Sequence, residues 1–201
     1  MKKIILIGGA PMTGKTTIAV KLASVLEYAC MSTDDIGESL RAKIKNKRLN
    51  PILGYDYREY YISRTADQLI DDTRIQHEEI WPSVKAVIKA HSGWGKPVVI
   101  EGWNLYPQKT KELNDQNIES YWLTADENLL KTRIEQNRSF YEGASDIGLL
   151  TANYLKRSLW HNNLIKTEAQ KLGMTIIKVT EESEPGVIAD KILKNQGNGK
   201  K

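Results

Sequence analysis

Cysteine is almost absent: Cys30 is the single thiol in 201 residues. One thiol can close no disulfide within the chain, which fits a reducing compartment, and its apolar neighbours mark Cys30 as a buried core thiol. Histidine is scarce as well. His77, His91 and His161 share none of the close spacings of metal-ligand sets, so no zinc site is expected. Apolar runs are short: Lys2 and Lys3 precede Ile4-Ile5-Leu6-Ile7 in the manner of a signal peptide, but the run stops at Gly8. Nothing approaches the length of a membrane span, so a cytoplasmic, membrane-free protein is expected and Asn137-Arg138-Ser139 is read as an accidental sequon. Gly93-Trp94-Gly95 lacks the rest of a dinucleotide fingerprint, and Asn46-Lys47-Arg48-Leu49 ends in leucine where a guanine-reading element needs an acid. No internal repeat or linker divides the chain, and 40% hydrophobic residues suffice for one buried core. The net charge of +4 is mild. Phosphorylated small molecules explain it as well as nucleic acid does, so a small-molecule partner and no nucleic acid are expected, with the chain a monomer or homodimer.

What is present is organised around Gly9-Ala10-Pro11-Met12-Thr13-Gly14-Lys15-Thr16, followed by Thr17. The spacing G-x-x-x-x-G-K-[ST] suits a loop between a strand and a helix in which glycines let successive N–H groups turn inward around phosphates. Lys15 then reaches the β and γ phosphates, and the Thr16 hydroxyl serves the accompanying magnesium ion.

Along the chain, Ile4 to Ile7 reads as a strand buried on both faces, and Ile18, Leu22, Val25 and Leu26 as the apolar stripe of the first helix. A short second strand over 28–33 ends in Asp34-Asp35, where a helix begins. Asp34 is the candidate proton acceptor, Asp35 its competitor, and a helix cap with a first-turn acid is the structural alternative. Residues 43–58 form a basic insertion without sustained periodicity, in which Arg58, with Arg41 before it, is a candidate for holding an anionic group. Helical spacing runs from Tyr61 and resumes beyond Trp81-Pro82, where proline predicts a kink or fresh start. Val98-Val99-Ile100-Glu101-Gly102 is a third strand closing in an acid that can hold a metal's water shell or orient a substrate. A fourth strand starts at Ile118, with Arg133 and Arg138 near the end of the helix after it; 139–151 reads as a lid, and Arg157 lies on the next helical stretch. Thr175 to Val179 is strand five, Ser183-Glu184-Pro185 caps a last helix, and the polar residues 195–201 are expected to be a flexible tail.

Five strands alternating with helices predict an open parallel α/β sheet, whose ligands bind at the strands' C-terminal ends. Lys15, Thr16, Asp34 and Glu101 all fall there. Phosphoryl transfer needs alignment, charge neutralisation and a carboxylate near the attacking hydroxyl. In this reading Lys15 and magnesium neutralise phosphates, Thr16, Asp34 and Glu101 serve the metal, Asp34 orients the acceptor's proton, and Arg133, Arg138 or Arg157 closes over the transferring group.

The loop, Ser32-Thr33-Asp34-Asp35-Ile36 leading to Leu40-Arg41, and the third strand together resemble the P-loop small-molecule kinases. That group includes nucleoside monophosphate, shikimate and gluconate kinases, and 2-phosphoglycerate kinase-like proteins are nearest in wording. The resemblance implies a three-layer P-loop NTPase fold over 1–194, with a five-stranded sheet of order 2-3-1-4-5, a helical substrate-binding insertion over about 36–92 and an arginine-bearing lid over about 138–157. It implies ATP and Mg2+ as cofactors: Gly9, Gly14, Lys15 and Thr16 match nucleotide and metal contacts, Asp34 the acid after strand two, and Glu101-Gly102 the third-strand substrate corner. The chain departs from the phosphoglycerate-type pattern where a histidine is expected after the Glu-Gly pair; it has Trp103-Asn104-Leu105-Tyr106-Pro107, and Trp103 and Asn104 are candidate acceptor contacts. The implied activity is ATP-dependent phosphotransfer to a small, anionic metabolite of the 2-phosphoglycerate, sugar-acid or nucleotide kind. The alternatives are a nucleotide-dependent nucleic-acid-binding ATPase, marked by steep salt dependence of oligonucleotide binding, and a toxin or antibiotic-modifying phosphotransferase.

Overall fold

The computed structural model describes residues 2–42 and 56–198. The apolar run near the start forms β1 (Ile4–Gly9), the central strand of a five-stranded parallel sheet of order β2-β3-β1-β4-β5. The other strands are β2 (Ala29–Ser32), β3 (Val98–Gly102), β4 (Ile118–Ala125) and β5 (Thr175–Val179). Between β1 and β3 lie α1 (Lys15–Leu26), α2 (Thr33–Arg41), α3 (Tyr57–Ile62) and α4 (Ala66–Gly93). After β3 come α5 (Pro107–Lys111), α6 (Glu127–Gln136), α7 (Arg138–Tyr141), α8 (Ile147–Lys171) and α9 (Pro185–Asn198).

Side chains alternate across a strand, so the unbroken apolar run of β1 serves two faces at once. Ile5 and Ile7 pack with Ile18 and Leu22 of α1 and Ile188 and Ile192 of α9. Ile4 and Leu6 pack with Val84 and Ile88 of α4 and Ile165 and Ala169 of α8. Each of these β1 side chains is fully buried, worth about 1.5–3 kcal/mol apiece. The result is three layers, helices over sheet over helices. A third, smaller cluster joins Tyr60 and Tyr61 of α3, Leu69 of α4, Ile134 of α6, and Leu150 and Tyr154 of α8.

Several expectations are corrected. Cys30 is exposed, because β2 is an edge strand paired to β3 alone. Strand two stops at Ser32, whose side chain accepts from the Asp34 N–H and caps α2, so Thr33 is already helical. Pro82 starts no new helix: α4 runs through it for 28 residues, held by Ile80, Val84 and Ile88 buried on either side. Proline removes its own N–H bond there, and packing of the flanking turns outweighs the loss. The chain stays helical to Asn198, past the point where a flexible tail was expected, with Ile188, Ala189 and Ile192 docked on the sheet. Residues 43–55 of the basic insertion and 199–201 of the tail lie outside the described residues. Of the stretch read as a lid, residues 147–157 are the first turns of α8, capped by Asp146 accepting from the Leu149 N–H at 2.8 Å. Leu150, Asn153, Tyr154 and Arg157 are buried there, which makes this part a wall of the molecule.

Candidate active site

β1 ends at Gly9 and α1 begins at Lys15, leaving a loop over 10–14 at the C-terminal edge of the sheet. Gly14, the N-cap of α1, has φ 84° and ψ 20°, a left-handed conformation that glycine adopts without strain. The first turn of α1 has neither a side-chain cap nor an acidic residue. Its N–H groups and the positive end of its dipole therefore lack a cap or first-turn acid, which favours an anion there. Lys15 is nearly buried and folds back to donate to the Ala10 carbonyl at 2.8 Å, and Thr13 Oγ1 donates to the same oxygen at 2.8 Å. Thr16 and Thr17 are exposed on the first turn.

The neighbouring strands bring in the acids. Parallel pairing sets Glu101 opposite Ile7 of β1 on one side and Ser32 of β2 on the other. Glu101 is 4% exposed, and its Oε1 accepts from Thr16 Oγ1 at 3.1 Å. Gly102 follows at φ 149°, where a Cβ would lie 1.7 Å from Thr33 Oγ1. Only glycine lets α2 start this close to the end of β3, and that approach carries Asp34 to the mouth of the loop. Asn104 is buried, with Nδ2 at 3.3 Å from Thr33 Oγ1 and 3.5 Å from Asp34 Oδ1. It braces the start of α2 from below and is not among the cleft's lining residues, contrary to its expected place against the acceptor.

The cleft so formed has a volume of about 370 Å³ and is lined by Lys15, Asp34, Arg41, Trp103 and Arg157, with Tyr60, Tyr61, Phe140 and Tyr154 among its other walls. Of the two adjacent acids, Asp34 lines it and Asp35 does not. Partial enclosure raises the Asp34 carboxyl above its ordinary value, opposed by Lys15 and Arg41. Burial raises Glu101 as well, again opposed by Lys15, and burial lowers Lys15 against the pull of both acids. For each of the three, burial works against the charged form and the opposite charge nearby works for it.

The arginines separate. Arg157, on α8, is 6% exposed, its guanidinium 4.7 Å from the Trp103 ring centre, 4.9 Å from Tyr61 and 5.0 Å from Tyr154. It takes part in no ion pair among the described residues. Arg41 lines the cleft and pairs with Glu38 one turn away. Arg133 reaches across to the loop, its Nη1 donating to the Met12 carbonyl at 2.8 Å, and Met12 itself has φ 65°. Two expected contacts fall outside the cleft: Arg58 is held by Asp56, the N-cap of α3, at 2.9 Å, and Arg138 is exposed at the start of α7. In both cases a local helix start, not the cleft, places the side chain.

Tyr60, Tyr61, Phe140 and Tyr154 join the expected Trp103 as aromatic walls of the cleft, and two histidines lie behind Trp103. His77 of α4 and His161 of α8 are buried with ring centres 5.6 Å apart, and both pack edgewise on Trp103, at 4.4 Å and 6.0 Å. His77 Nδ1 hydrogen-bonds to the Tyr106 hydroxyl. Burial and the Lys15 and Arg157 charges push His161 down to about 3, and burial, His161 and Arg157 push His77 well below its ordinary range. Both rings are neutral beneath Trp103. The 83 residues between His77 and His161 hid this pair, and only the crossing of α4 and α8 brings it together.

Size does not locate the site. A broader depression of about 860 Å³, lined by Leu113, Asn117 and Gly173, lies where β4 and β5 begin, at the end of the sheet opposite the loop.

No family model matches the chain. It is 34% identical over 139 residues to a 2-phosphoglycerate kinase of Methanothermobacter thermautotrophicus, covering 65% of this chain and 45% of that protein. It is 28% identical over 191 residues to a 2-phosphoglycerate kinase of Methanocaldococcus jannaschii, covering 90% of this chain and 60% of that one. The chain thus spans about half the length of the curated relatives it matches. Among solved structures, a shikimate kinase from Acinetobacter baumannii in complex with shikimate superposes with a TM-score of 0.57 over 100% of this chain and 95% of that one, at 14% identity. The chain has the fold of the P-loop small-molecule kinases, with the sheet order expected of them.

Proposed function

We propose that this chain, with its P-loop kinase fold, transfers the γ-phosphoryl group of ATP to a hydroxyl of a small anionic metabolite. The observation that carries the reading is Arg157: a buried guanidinium without an acidic partner among the described residues, facing the same cleft as Lys15 and Asp34. A buried cation left unpaired by its own chain is costly unless a ligand supplies the anion. The relatives are named 2-phosphoglycerate kinases, and a hydroxy acid bearing phosphate is the acceptor class that Arg157 and Arg41 would hold by their forked N–H groups.

The donor side rests on the uncapped first turn of α1 and the loop before it, whose N–H groups would hold the polyphosphate, with Lys15 leaving the Ala10 carbonyl for the phosphate oxygens. The residues present fit a magnesium ion: Thr16 Oγ1 already meets Glu101 Oε1, and Asp34 stands on the same side of the loop. When bound there, magnesium would neutralise phosphate charge, held by Thr16 directly and by Glu101 and Asp34 through its water shell. Asp34 accepts the proton of the acceptor hydroxyl as that oxygen bonds to the γ phosphorus and the bond to the bridging oxygen breaks, releasing ADP. Arg133, bonded to the loop at Met12, lies next to the phosphates and offsets their charge. The aromatic walls and the neutral histidines behind Trp103 keep water and competing anions from Arg157.

The test is a coupled assay of ADP release over hydroxy acids with and without phosphate, sugar acids and nucleosides, with Asp34→Asn as control. One phosphorylated or carboxylated acceptor should stimulate release in the parent and not in the variant. If none does, the transferase reading is wrong.

A further inference from the structure

Behind Trp103 lies a second cavity that phosphotransfer does not use. It has a volume of about 510 Å³, between α4, α5 and α8, and lies within the size range of small-molecule sites. Its aromatic lining comes from Trp81, Tyr106 and Trp160, and its polar lining includes His77 and Glu168. His77 is 2% exposed and its Nε2 has no hydrogen-bond partner. Glu168 has a buried Oε2 that is also without one. Orphaned buried polar atoms of this kind call for a partner, which the described residues do not supply.

The charge of the lining narrows the chemistry of that partner. Lys109 is already paired with Glu78 at 2.6 Å, and Arg74 with Asp71 at 2.8 Å. Glu112 and Glu168 take part in no ion pair among the described residues, so the lining carries acid in excess of its free cations. The aromatic faces already tolerate positive charge: Arg74 lies 5.1 Å over the Trp160 ring and Lys109 lies 5.8 Å over Trp81. An anion would meet Glu168 and Glu112 unpaired. An ammonium on a flat apolar body would satisfy Glu168 Oε2 and lay its ring against tryptophan. His77 Nδ1 is occupied by Tyr106, which leaves Nε2 to receive a further N–H if the imidazole carries its proton on Nδ1.

We infer that the cavity between α4, α5 and α8 is a binding site for a small aromatic ammonium, held by the Glu168 carboxylate and the Trp81 and Trp160 rings. The inference does not rest on the kinase reading, because it concerns a separate cavity and is tested without nucleotide or acceptor.

The experiment titrates phenethylamine, and separately phenylacetate, into the nucleotide-free full chain, by calorimetry and by NMR of the tryptophan indole N–H resonances. Phenethylamine should bind with a dissociation constant of about 1 mM, as befits a fragment. It should shift the Trp81 and Trp160 resonances, while phenylacetate should bind at least about tenfold more weakly. Glu168→Gln should weaken the amine about tenfold or more, and Asp34→Asn should leave it unchanged. Thermal melting of both variants establishes that they fold, and Trp160→Leu gives a second route should Glu168→Gln not fold. Equal binding of the two probes, loss of binding on Asp34→Asn, or undiminished affinity in Glu168→Gln and Trp160→Leu would each overturn the assignment.

Discussion

Replacing Arg157 with methionine should destroy acceptor recognition while leaving the fold nearly as stable as before. A paired buried arginine would behave differently, since its removal strands a carboxylate at a cost of about 3–5 kcal/mol. Arg157 strands nothing, because its neighbours are the rings of Trp103, Tyr61 and Tyr154. Those contacts contribute about 0.5–2 kcal/mol each, and against them stands a desolvation penalty of several kcal/mol for the guanidinium. The two nearly cancel, and methionine refills much of the space. The expected change in stability is within about 2 kcal/mol, a melting shift of no more than about 8 °C at this chain length. On the acceptor side, two charge-assisted hydrogen bonds at about 1.5–3 kcal/mol each vanish, so KM for the acceptor should rise by about 10²–10⁴. KM for ATP should hardly move. Steady-state kinetics in both substrates and scanning calorimetry of the free chain give the three numbers. An acceptor KM within about threefold of the parent, or a stability loss above about 4 kcal/mol, would refute the reasoning.

Other perturbations test the rest of the site. If Lys15 serves phosphate as proposed, Lys15→Met should lower kcat at least about a hundredfold with little change in melting, because the ammonium's hydrogen bond in the free chain is to one carbonyl; near-parental turnover would remove Lys15 from the site. Asp34→Asn should lower kcat by about 10²–10⁴, and the acid limb of the parental pH profile should lie above that of a solvated aspartate, since partial enclosure raises this carboxyl. Glu101 is raised in the same sense, so the folded chain holds this proton more tightly than the unfolded one, and that contribution to stability is full at low pH and lost as pH rises through the folded value. Glu101→Gln should therefore raise the melting temperature of the free chain at neutral pH, with the gain shrinking towards about pH 4; a gain independent of pH would contradict this. Gly102→Ala should cost more than about 3 kcal/mol by driving a methyl into Thr33. Gly143→Ala, at φ 86° with nothing within 4 Å, should cost only about 1–2 kcal/mol, as urea denaturation can compare.

Whatever depends on neighbours in the chain was legible in the amino-acid order. The run Ile4 to Ile7, the glycines and lysine after it, and the acid closing β3 determine a strand, a tight turn into a helix and an acid beside it. They do so because hydrogen-bond geometry and apolar periodicity act over a few residues. Asp34 was legible for the same reason, at a strand's end beside a helix start. Tertiary structure decided what depends on distance. Which acid of the pair lines the cleft follows from the close fit of Gly102 against Thr33. Cys30 turned out exposed because strand order, which no local signal carries, puts β2 at the edge. Pro82 sits within a continuous helix because packing of the turns around it against the sheet and α8 outweighs one lost hydrogen bond. Arg58 and Arg138 lie outside the cleft, while Arg157 came to line it only when α8 crossed α3 and α4 and enclosed it among aromatic rings. The sequence by itself determined the loop between β1 and α1, since it is one continuous segment; the cleft beside it is assembled from side chains far apart in the chain, and only the packing of helices determines which of them meet.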